Sequence, residues 1–253
     1  MLEVCLIPED VEQEEWRLRY WLRNTILESR FFPLLAALFL MLFIVYPLAG
    51  ELGSPGLLLN VFVLLMFIVS LRAVANNRAV MRTVLLMAIP LFASRLWAHY
   101  GDGVAPLITY AVLNSIFLAT VLALCLTRVL DSKPVTEDKI MGALCVYLLI
   151  GVLFSFVYEI NYTLDPTAID LGAEYSESLD PEEFWVFIYF SFVTLTTLGY
   201  GDVLPVAPFA RAMATLEAVV GPLYLAILIA RLVSAAETTQ GSRKSERRVR
   251  AKE

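Results

Sequence analysis

Apolar stretches of membrane-spanning length alternate along the chain with short polar breaks. The runs fall at about 31–49, 56–75, 79–97, 105–127, 138–159 and 208–233. Each is close to the ~20 residues a helix needs to cross a hydrocarbon core. A further apolar run, Phe184 to Thr196, spans only about 13 residues, or roughly 20 Å of helix at ~1.5 Å per residue. That is too short to cross, so it predicts a helix that enters the membrane and turns back. The residues before it open a helix: Asp180 as N-cap, Pro181 at the first helical position, and Glu183 where a capping box wants an acid.

Lys and Arg fall in alternate connections. Arg17, Arg19, Arg23 and Arg30 precede the first run; Arg72, Arg78 and Arg82 lie between the second and third; Arg128, Lys133 and Lys139 lie between the fourth and fifth. Arg231, Arg243, Lys244, Arg247, Arg248, Arg250 and Lys252 follow the last. The other connections carry acids instead, Glu51, Asp102 and, over 160–183, Asp165, Asp170, Glu174, Glu177, Asp180, Glu182 and Glu183. The positive-inside rule then places both termini in the cytoplasm of a plasma-membrane, multi-pass protein. Arg95 and Arg211 fall near the outer face, where a long side chain can snorkel.

Composition agrees with this layout. The 253 residues are 59% hydrophobic and 17% charged, with mean hydropathy +0.72; soluble domains sit near a quarter charged. The expected fold class is an all-α membrane protein of six transmembrane helices with a re-entrant helix and loop. Residues 1–30 read as a cytoplasmic amphipathic segment or a simple charged anchor. Residues 31–128 form a four-helix domain, 136–234 a domain around the re-entrant segment, and 235–253 a basic, disordered tail attracted to lipid.

A net charge of -6 argues against a nucleic-acid partner. Cys5, Cys125 and Cys145 show no metal-ligand spacing and read as packing residues, and His99 is the sole histidine. No nucleophile–base pair is visible, so an enzyme is not expected, nor is a cofactor.

The re-entrant run ends in Thr196-Thr197-Leu198-Gly199-Tyr200-Gly201-Asp202. Glycines at 199 and 201 supply backbone freedom in a non-helical segment. If alternate residues take opposite-handed conformations, the carbonyls of 197–201 can all point one way. A ring of such carbonyls replaces the hydration shell of a monovalent cation.

The heptapeptide resembles the potassium-channel signature T-T-x-G-Y-G-D, over roughly 138–234. The resemblance implies a pore helix at 181–196, a selectivity filter at 197–201, and K+ sites made by the carbonyls of Thr197, Leu198, Gly199 and Tyr200 with the Thr197 hydroxyl. It implies a homotetramer, since each chain offers one filter strand, with K+ as permeant ligand and membrane lipid as the other partner. It also implies an inner-helix hinge at Gly221, here followed by Pro222, and an aromatic donor, Tyr189, behind the filter for Asp202.

Two departures stand out. Leu198 replaces the usual Val or Ile, and Val193 stands where some members carry an acid. The fourth run holds Arg128 alone, so it lacks the arginine ladder of a voltage sensor. The expected function is a potassium-selective, non-voltage-gated channel of prokaryotic type. A weakly selective cation channel and a non-conducting regulatory subunit are the alternatives. Glu217 is a candidate acid near the cavity, or a protonated group against the hydroxyls of Thr194 or Thr196.

Overall fold

The structure is a computed structural model that describes residues 29, 31–45, 78–101, 103–131, 136–172 and 184–250. The expected amphipathic segment at 1–30, the apolar run at 56–75 and the capping residues 180–183 lie outside the described residues, 29 apart. What is described is almost entirely helical.

Helix α1 (Phe32–Leu40) continues through a wider turn at Met41–Val45; α2 is Arg78–Tyr100, α3 Val104–Val129 and α4 Glu137–Leu164. Strand β1 (Ile169–Asp170), helix α5 (Phe184–Leu195), strand β2 (Leu204–Pro205) and helix α6 (Pro208–Arg250) follow. Among the described residues, three helices are long and apolar enough to cross a membrane: Val104–Val129, Glu137–Leu164 and Pro208–Ser234. They correspond to the fourth, fifth and sixth apolar runs. Phe32–Ile44 and Leu85–Ala98 are shorter apolar helices at the first and third.

Helix α4 is the hub. Thr136 caps it, accepting from the Lys139 N–H at 3.3 Å, and Glu137 and Asp138 occupy the first turn, where the helix dipole favours acids. Asp138 also reaches out of the helix and accepts the Phe31 N–H at 3.0 Å, which fixes the start of α1 against it. Gly142 leaves room for the Phe31 ring, which a Cβ there would meet at 2.9 Å. Along the rest of its length α4 packs on α3, α5 and α6. Cys125 and Cys145 are buried packing residues in this core. At the same end of the bundle, Arg231 of α6 donates to the Leu130 carbonyl at 3.2 Å, just past the end of α3, where a helix terminus favours a cation.

Helix α5 is buried almost all round: Phe184, Trp185, Val186, Phe187, Ile188, Phe190, Ser191, Val193 and Leu195 are all inside. A helix apolar on every face needs cover on every face. Here α4 and α6 provide it. Helix α6 is unbroken from Pro208 to Arg250, with Pro222 inside it. The tail expected to be disordered from 235 is therefore helical to Arg250. Its composition permits this, because Ala, Glu, Gln, Arg and Lys all have high helix propensity and make up ten of its sixteen residues.

Candidate functional site

The segment after α5 is built from an unusual helix ending. Thr196 N–H still bonds back to Phe192 at 3.1 Å. Then the Leu198 N–H reaches the Val193 carbonyl at 2.9 Å while the Thr197 N–H reaches Thr194 at 2.9 Å. These paired bonds, six-to-one and five-to-two, are a Schellman motif, whose pivot residue is left-handed. The pivot is Thr197, at φ +58°. Glycine is the residue that normally tolerates this conformation, and for a β-branched side chain it is an outlier. A strained threonine at this point motivates a functional reading of the residue.

The handedness then alternates. Gly199 has φ +60° and Gly201 φ +79°, with Leu198 and Tyr200 between them outside the left-handed region. Every second residue from 197 to 201 is therefore left-handed. That is the backbone condition for successive carbonyls to lie on one side of the strand. An added Cβ at Gly199 or Gly201 would meet nothing within 4 Å, so conformation rather than crowding requires glycine there. Leu198 and Tyr200 are exposed on the single chain, at 56% and 67%.

Asp202 closes the segment. Its Oδ2 accepts the Tyr189 hydroxyl at 2.5 Å and its Oδ1 the Val203 N–H at 3.1 Å. The phenol beside it holds its carboxyl below the usual carboxylate range. Tyr189 and Asp202 are thus in contact, as expected from the sequence.

A strap from the α4–α5 connection lies over the residues that follow. Ile169 pairs with Pro205 and Asp170 with Leu204. The Ala168 carbonyl accepts both Val206 N–H and Ala207 N–H, at 2.8 and 3.0 Å. Gly172, at φ +78°, sits so close that a Cβ would meet the Asp202 carbonyl at 2.9 Å. Arg211, expected to snorkel, instead donates through Nε to the Pro205 carbonyl at 3.1 Å. None of this strap was foreseen, because a two-residue bridge leaves no periodic signal.

Behind the segment, Gly221 sits under the end of α5. A Cβ at Gly221 would collide with the Leu195 carbonyl oxygen, so the glycine permits close approach of two helices. Gly221 and Pro222 were expected as a hinge; the helix runs through both without a break. This packing gives Gly221 a reason of its own.

Glu217 differs most from expectation. It is fully buried in the single chain, and its partners are Tyr158 and Ser191, not Thr194 or Thr196. The Thr196 hydroxyl bonds back to Phe192 at 2.7 Å instead. Within one chain the carboxyl faces helices α4 and α5 rather than open space. Sequence reading overlooked Ser191 and Tyr158. A signal existed for the first: Ser191 is a hydroxyl set in the apolar run Phe184–Val193.

Arg95 also departs from a snorkelling role. Its guanidinium lies 5.0 Å from the centroid of the Tyr110 ring, a cation–π contact that joins α2 to α3.

Residues 142–238 match a protein-family model described as ion channel. The "Inward rectifier potassium channel Kirbac3.1" of Paramagnetospirillum magnetotacticum is 34% identical over 96 residues. That stretch is 38% of this chain and 28% of the relative, so the chain spans little more than a quarter of the relative's length. No solved structure matches. The family-model match runs over α4 to α6, and both the model and the relative are described as ion channels.

Proposed function

We propose that this protein is a potassium-selective channel, conducting K+ passively through a tetrameric pore lined by the backbone carbonyls of Thr197, Leu198, Gly199 and Tyr200. The observation that carries the reading is the left-handed conformation at Thr197, Gly199 and Gly201, within T-T-L-G-Y-G-D, at the end of a buried helix inside an ion-channel domain. Carbonyls arrayed this way take the place of the water shell of a desolvated cation. Helix α5 adds its negative C-terminal end at the same spot. The relative's printed name, a potassium channel, favours K+ as the ion.

Four copies are needed because one chain provides one strand of a ring. Exposed apolar residues on α6, among them Leu216, Val219, Leu223 and Ile227, are available for partner chains, cavity and lipid. The four-helix domain at 31–128 gives six spans with both termini cytoplasmic, and Arg128 is the sole basic residue in the fourth span. A lone charge at one end of a span couples weakly to the membrane field, so gating is not by voltage.

The test is ion flux from liposomes holding the purified full chain, in potassium and then sodium gradients. Flux in potassium well above that in sodium supports the proposal. Equal flux of both ions would make it a weakly selective cation channel, and no flux a non-conducting subunit.

A further inference from the structure

We propose that Glu217 is a protonated acid, and that its proton completes a hydrogen-bonded link that holds α5, and with it the residues 197–201, between α4 and α6. The chain of atoms is short. The Tyr158 hydroxyl lies 2.5 Å from Glu217 Oε2. Glu217 Oε1 lies 2.5 Å from Ser191 Oγ. Ser191 Oγ in turn lies 2.6 Å from the Gly151 carbonyl oxygen.

Counting protons decides the state of the acid. Three contacts need three protons. A carbonyl has none to give, a carboxylate has none, and each hydroxyl has one. Tyr158 supplies the first contact. Ser191 supplies one of its own two, so the remaining proton belongs to Glu217. The directions then run Tyr158 O–H to Glu217, Glu217 O–H to Ser191, and Ser191 O–H to Gly151. With Glu217 ionised, one of the two contacts at Ser191 would bring two lone-pair oxygens together with no hydrogen between them.

The surroundings favour the same state. Among the described residues, the titratable groups facing Glu217 are two phenols on α4, Tyr158 and Tyr147, and the group facing it from α5 is the Ser191 hydroxyl. A buried carboxylate in such company is costly, whereas a neutral acid needs only its hydrogen bonds.

Gly151 lets α5 lie close at this point: a Cβ there would meet the tip of the Phe192 ring at 2.7 Å, and the ring would have to shift. Glu217 is one helical turn before Gly221, itself packed under Leu195. The acid therefore ties all three helices of the ion-channel domain one turn before α5 ends. Removing the proton either breaks the Ser191–Gly151 bond or leaves a bare charge beside α5. Glu217 thus acts on the conducting segment through Ser191, as a positioning residue.

Two measurements on the purified full chain test this. Infrared difference spectra of wild type against Glu217→Gln are expected to show the C=O stretch of a protonated carboxylic acid at neutral pH, lost in the variant; its absence from the wild type would overturn the proposal. This arm needs no conduction, so it stands apart from the channel reading on which the second arm rests. In liposome flux, Glu217→Gln keeps a donor and an acceptor and is expected to stay within about twofold of wild type, while Glu217→Ala and Ser191→Ala each lose about tenfold, the factor equivalent to ~1.4 kcal/mol. If Gln is as defective as Ala, the acid works as an anion and the proposal fails. Should Glu217→Ala not assemble, Ser191→Ala carries the comparison.

Discussion

Removing one hydroxyl from Tyr189 isolates the strut behind the proposed filter. Tyr189→Phe keeps the ring and deletes only the donor that reaches Asp202 at 2.5 Å. A hydrogen bond to a charged group contributes ~1.5–3 kcal/mol when shielded. Asp202 is exposed, and water replaces part of what is lost, which brings the figure to ~1 kcal/mol per chain. The Val203 N–H stays on the other oxygen, so the carboxylate is not orphaned. If one strut must break for the filter to collapse, ~1 kcal/mol speeds collapse about fivefold. If the four struts of a tetramer must give way together, ~4 kcal/mol speeds it about a thousandfold. The assay is the decay of sustained current in single-channel or macroscopic recordings at fixed potassium, with the reversal potential read in the same traces. Faster decay at unchanged selectivity is the expected result, and the size of the change separates independent from concerted collapse. Decay no faster than in the parent would refute the strut.

The same contact sets a pH dependence. The phenol lowers the Asp202 carboxyl below its ordinary range, so the strut is present above the unfolded carboxylate pKa and is lost as external pH falls through the lowered value. Strong external acidification should therefore speed decay in the parent and change little in Tyr189→Phe. Thr197→Gly removes the cost of a left-handed β-branched residue, ~1–2 kcal/mol. It should raise the thermal midpoint of the purified protein while reducing potassium over sodium flux; a lowered midpoint would mean Thr197 is not strained. Gly221→Ala forces a methyl into the Leu195 carbonyl and should cut flux more than Pro222→Ala does, whereas a hinge without packing would give similar losses. Open-channel current should vary little with membrane potential, and steep voltage activation in planar bilayers would send attention to charges outside the fourth span.

Membrane class, helix order and the candidate filter were legible in the sequence because each rests on local rules. Hydrophobic run length reports a span, and a run too short to cross followed by G-Y-G reports a return. The apolar run of α5 marks its helix through neighbours in the chain. The Tyr189–Asp202 pair came from the resemblance to potassium channels, and the two residues, 13 apart in the chain, do meet.

What only the tertiary structure decided is how distant residues meet. Glu217 could face a cavity or a neighbour, and one helix turn cannot distinguish these. Its partner Tyr158 is 59 residues away and Ser191 is 26. Gly151 and Gly221 look alike in sequence, as small residues in apolar helices. At each, a ring or a carbonyl of α5 occupies the space a side chain would fill. Thr197 carries no mark of its left-handed φ, because the strain is imposed by the two hydrogen bonds that end α5. Sequence periodicity specifies which face is apolar, but the depth at which two helices cross sets which polar atoms touch. That depth is fixed by close packing over the whole core, so it became visible only in three dimensions.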